Sequence, residues 1–135
     1  MKRFALMLVF LAVFPIVSRA GPDVFDCKVL SLNELTKEGT FSTGAKYQKE
    51  QIGSTFSVDR KSGKIEGFHF INNRGDESVE IVNNDPSVAG FYVISKSHGP
   101  GRMVSYLFIN AYKDESRHPF IYTLSGQYVY TGTCQ

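Results

Sequence analysis

The chain has 135 residues, a formal charge of +2, and 42% apolar and 13% aromatic side chains, the make-up of about one ordinary globular domain. Disorder and a multidomain assembly do not fit that make-up. Two cysteines, three histidines and no tryptophan leave too few ligands for a zinc cluster and too few cysteines for a cysteine-rich scaffold.

In chain order, the first predicted element is a secretory leader. Lys2 and Arg3 precede an apolar run over 4–17, and the small residues Ser18 and Ala20 precede Gly21 and Pro22. The run is shorter than the roughly 20 residues of a membrane helix, and Pro15 interrupts it. Asp26 before Cys27 does not match a lipoprotein signal. The expectation is cleavage after Ala20 and a single β-domain over 21–135 with no membrane anchor, exported to a bacterial periplasm or secreted. Cleavage removes Lys2, Arg3 and Arg19, leaving 12 basic and 13 acidic side chains, a formal net of −1. Without a cationic face, nucleic-acid binding has no electrostatic basis.

Cys27 and Cys134 have only each other as disulfide partners, and their separation lacks the Cys-x-x-Cys spacing of a redox pair. A structural staple is expected, bringing the first and last strands to about 6 Å between Cα atoms. The strand carrying Cys27 is predicted over 24–32, followed by one helical turn over 33–38 capped by Asn33 and a short strand at 40–42. Residues 46–50 are open between helix and loop. A strand at 54–59 turns through 60–63, where Gly63 can take a positive φ, and returns antiparallel over 64–72. Strands follow at 78–82, with Val79 and Ile81 on one face, and at 90–96, with Phe91 and Val93 opposite Tyr92 and Ile94.

The segment 102–112 places Val104, Tyr106 and Phe108 on one face and Met103, Leu107 and Ile109 on the other, which predicts a central strand apolar on both sides. A final hairpin joins 120–124 to 127–134 through Ser125-Gly126; with Leu124 opposite Gln127, Tyr122 meets Val129 and Ile121 meets Tyr130. The fold class is therefore all-β, an antiparallel meander of about seven or eight strands forming a small barrel or sandwich.

Chemistry is sparse. His69 sits in mid-strand, and the meander puts His98 and His118 at opposite ends, which disfavours a histidine metal site. The run 113–118 holds acids, Ser116 and His118, but neighbours in one charged turn do not form a nucleophile, base and acid in series. Asn83-Asn84-Asp85 is too short for a calcium loop. No cofactor or metal ligand set emerges, and no enzyme is expected.

The loop 97–102, shaped by Gly99, Pro100 and Gly101, presents His98 and Arg102, with Arg74, Asp76 and Glu77 expected at the same rim. This rim is one candidate for binding a protein partner. The string Ser42-Thr43-Gly44-Ala45-Lys46-Tyr47 resembles the Ser-Gly-x-x-Tyr-type loop of small periplasmic lysozyme inhibitors, which are disulfide-bonded β-barrels of similar size. That resemblance implies entry of Ser42 and Lys46 into a lysozyme cleft. A cation beside a hydroxyl also suits the paired carboxylates of a glycosidase. The functional expectation is a non-enzymatic exported protein that binds a hydrolase or envelope protein through loops or a sheet edge. The alternatives are a hydrolase inhibitor using 42–47 and a lipocalin-like carrier of an apolar ligand.

Overall fold

Alternating apolar and polar residues leave a strand half-buried, and here they close one sheet on its own apolar face. The computed structural model describes residues 22–43, 48–68, 70–73, 75–76, 78–85, 90–111 and 116–135; the expected leader and its cleavage point lie outside them. Among these are nine strands: β1 (Val24–Leu35), β2 (Phe41–Ser42), β3 (Thr55–Asp59), β4 (Ile65–Glu66), β5 (Ser78–Asn83), β6 (Gly90–Lys96), β7 (Val104–Asn110), β8 (His118–Leu124) and β9 (Tyr128–Cys134). One helical turn, α1 (Gln48–Gln51), lies between β2 and β3.

All pairings are antiparallel, in the order β4-β3-β1-β9-β8-β7-β6-β5, with β2 on the second half of β1. The sheet curls into a half-barrel whose inside holds Phe25, Val29, Leu32, Phe91, Leu107, Ile109, Phe120, Tyr122 and Tyr130. The all-β fold and the clasp are as expected: Cys27 and Cys134 face each other across β1 and β9 and are disulfide-bonded. Their Cα atoms are 3.9 Å apart rather than about 6 Å, because they are direct cross-strand partners in adjacent strands.

Four local expectations are corrected. The helical turn at 33–38 is absent, since Asn33 and Glu34 continue β1 by pairing with Val129 and Tyr128 of β9, and Glu34 and Leu35 also pair with β2. The return strand over 64–72 stops after Glu66. A side chain at Gly67 would lie 2.5 Å from both the Ile71 carbonyl and Phe56 Cβ, so the chain bends there and packs Ile71 into the core. Asn73 then caps the edge of β4, accepting from Ile65 N–H at 2.7 Å and donating to the Gly63 carbonyl at 2.8 Å.

The last hairpin is shifted by one residue, pairing Tyr122 with Tyr130 and Leu124 with Tyr128. Its connection uses three residues, with Ser125 at φ 51° and Gly126 at φ 69°. The shift puts both tyrosines inside. Finally, β8 begins at His118 rather than 120, so His118 is a buried strand residue and not part of a solvated turn.

The interior tyrosines keep their polar tips satisfied. Tyr122 Oη donates to the Phe70 carbonyl at 3.0 Å, and Tyr130 Oη donates to Gln51 Oε1 at 2.7 Å, tying α1 to the barrel. Burial pushes both phenols above the ordinary tyrosine value of 10.0, while a Ser105 hydrogen bond acts in the opposite direction on Tyr122. A raised folded-state value keeps the proton on in the native state while the unfolded chain loses it. Stability is therefore full below about pH 10 and falls as pH rises beyond it. Alkaline unfolding followed by circular dichroism is expected to show this decline, and Tyr122→Phe with Tyr130→Phe to flatten it.

Candidate functional site

Among the described residues, those named from the sequence fall on separate elements. His98 and Arg102 are exposed on the connection between β6 and β7, where the Ser97 amide donates to the Met103 carbonyl and Ser97 Oγ accepts from the Met103 amide. Ser42 is half-buried on β2, opposite Glu34, and strands β1, β9 and β8 separate it from β7. Arg74, Lys46, Glu77 and His69 lie outside the described residues. Ser116 is exposed and precedes β8, while His118, the first residue of β8, is buried.

The interior is filled by side chains. Phe25 packs on Phe91 with ring centroids 5.5 Å apart, Phe56 meets Phe120 edge-on at 5.0 Å, and Tyr122 meets Tyr130 at 5.9 Å. This packed core gives no support to a carrier that holds its ligand inside the barrel.

The outer face is less ordinary. Alternation should set polar residues there, yet β6 and β7 turn Tyr92, Ile94, Val104, Tyr106 and Phe108 outward. Tyr92 stacks on its cross-strand partner Phe108 at 4.9 Å and lies 6.2 Å from Tyr106. Beside them Ile121 on β8, partner of Phe108, is 41% exposed, and Val104 is 45% exposed. The sequence reading separated these two faces of β7 correctly. Both faces are apolar, and the direction of the curl decides which one is enclosed.

Two further features lie elsewhere. A groove of about 800 Å³ runs over the outside of β1, β3 and β9, lined among others by Asp26, Lys28, Ser57, Glu66, Arg117 and Gln135. Its charges have mixed sign, and Glu66 pairs with Lys64 at 2.8 Å. At the barrel end where β3 and β5 finish and β8 starts, Arg60 and His118 are both buried. The sequence reading placed both in turns. Arg60 Nε donates to Asn84 Oδ1 at 2.8 Å, and the guanidinium stands 5.6 Å from the Phe25 ring centre. Among the described residues no group of three or more His, Cys, Asp or Glu side chains is arranged to hold a metal ion.

Comparison with protein-family models, with curated protein sequences and with solved structures returns no match to this chain.

Proposed function

We propose that this chain is an exported, non-enzymatic β-protein that binds an envelope protein through the outer aromatic face of β6, β7 and β8. The observation that carries the reading is the Tyr92–Phe108–Tyr106 cluster with Ile121 beside it, on the solvent side of a sheet whose other side is already packed. Half-exposed tyrosine and phenylalanine on a rigid sheet offer large apolar contact at little entropic cost, as binding hot spots do. The basic leader and the Cys27–Cys134 disulfide support export.

The test is affinity capture from an envelope extract by the oxidised protein and by Tyr106→Ser with Phe108→Ser. These side chains point away from the core, so the variant is expected to keep its circular dichroism spectrum and lose the captured partner, with affinity falling at least tenfold. Equal capture by both proteins would assign binding elsewhere. The inhibitor implied by the 42–47 resemblance is a second reading, favoured by the place of Ser42 on β2 at the rim of the sheet. A lysozyme added to the same capture, bound by wild type and not by Lys46→Ala, would move the site to that loop.

A further inference from the structure

We propose that the end of the barrel formed by Arg60, Asn84 and His118 binds a small oxyanion of the carboxylate or phosphate class. This inference stands apart from the outer-face reading, since it uses none of those residues.

Arg60 is 8% exposed, so most of its side chain is packed away from water. Its backbone N–H donates to the Asp23 carbonyl at 2.9 Å, which fixes where the side chain starts. Its Nε is committed to Asn84 Oδ1 and its flat face to Phe25. Neither partner is an anion. Among the described residues the guanidinium has no carboxylate partner, although a buried cation is ordinarily kept only with a counter-charge.

The second observation is on the same ring. His118 is 6% exposed and stands edge-on to Phe25, with ring centres 5.9 Å apart and planes at 82°. Its Nδ1 is buried and has no hydrogen-bond partner. Buried polar atoms are rarely left so, and an orphan of this kind marks a place where a partner belongs. The antiparallel topology explains the convergence: β3 ends at Asp59, β5 ends at Asn83 and β8 begins at His118, all at one end of the sheet, over Phe25 near the start of β1.

One ligand class answers both defects. The terminal guanidinium nitrogens offer a planar pair of donors that matches two oxygens of a carboxylate or phosphate. With its hydrogen on Nδ1, the His118 imidazole supplies a further donor from its place against the same Phe25 ring. Asn84 orients the guanidinium by accepting from Nε, leaving the outer nitrogens for the ligand. A cationic ligand would meet Arg60 unfavourably, and a neutral apolar one would leave both groups unpaired.

The experiment titrates sodium phosphate and, separately, sodium acetate into the full chain carrying its disulfide, at constant ionic strength set with sodium chloride. Binding is read from the ¹⁵N and ¹H resonances of the His118 imidazole. A saturable shift with either anion, beyond that given by chloride alone, is the expected result, and which anion binds more tightly separates the two sources. Arg60→Gln is expected to weaken binding at least tenfold. Because that variant removes a buried group, Asn84→Ala serves beside it: Asn84 is exposed, its loss frees Nε, and affinity should fall several-fold with the fold intact. His118 shifts no larger than those with chloride, or full affinity retained in folded Arg60→Gln or Asn84→Ala, would overturn the proposal.

Discussion

Replacing Cys27 and Cys134 together by alanine is expected to lower the stability of the folded chain by about 4 to 5 kcal/mol, read as a large fall in the urea midpoint. The bridge closes a loop with a sequence separation of 107, so its loss frees a long stretch of unfolded chain. Few single features of a domain this size weigh as much against a total of about 5 to 15 kcal/mol. The native architecture should survive the change, because β1 and β9 remain paired on either side of the bridge, from the Asp26 and Gln135 amides that exchange hydrogen bonds to Glu34 opposite Tyr128. A double variant with the midpoint of the oxidised protein would show that the unfolded state is already constrained by something else.

The second large effect is expected at a residue with no side chain. Gly132 lies opposite Val29 on β1 and Phe120 on β8, where β1 carries a bulge between Val29 and Ser31. A Cβ at this position would run into the Lys28 carbonyl oxygen and lie 2.7 Å from Phe120 Cε1. The first of these is backbone in the strand that carries the disulfide, and the second is a ring locked against Phe56. Neither can step aside cheaply, so Gly132→Ala is expected to cost about 3 kcal/mol in urea unfolding. Gly101→Ala is the control: it meets nothing within 4 Å and should change stability by less than about 0.5 kcal/mol. Similar midpoints for the two variants would mean that β1 and β9 can separate locally without loss.

What could be read from the sequence was whatever depended on alternation within one strand. The strand at 90–96, the opposite faces of β7, the shared face of Val79 and Ile81, and the pairing of the only two cysteines all rest on period two or on elimination. Misreadings arose where a distant partner overrode a local preference. Asn33 looks like a helix cap, but β9 and β2 hold the chain around it extended. Residues 67–72 contain enough aromatic and branched side chains for a strand, yet Gly67 is pressed against Phe56 and the chain must turn. Ser125 takes a left-handed φ more usual for glycine or asparagine, which lengthened the last loop and moved the register.

The candidate sites follow the same division. Tyr92, Tyr106 and Phe108 could be grouped by strand faces, but their standing as surface depends on the direction in which the whole sheet curls. Arg60 and His118 each adjoin turn-forming residues and carry polar side chains, the usual signs of a solvated loop. Both are buried and both pack on Phe25, which lies more than 30 residues from either in sequence.

The place of β1 between β3 and β9 has a kinetic side. The long β1 is held along one edge by β9, whose Cys134 lies 107 residues after Cys27, so that pairing cannot begin until the intervening chain has been synthesised. Until then β1 offers a bare hydrogen-bonding edge of up to twelve residues, with β3 and β2 alone to cover the opposite one. Contacts so remote in sequence make folding slow and leave the waiting strand open to pairing with other chains. A protein built this way gains from a compartment in which holdases or dilution keep nascent copies apart. Its vulnerability lies in the interval before β9 arrives, more than in the finished barrel.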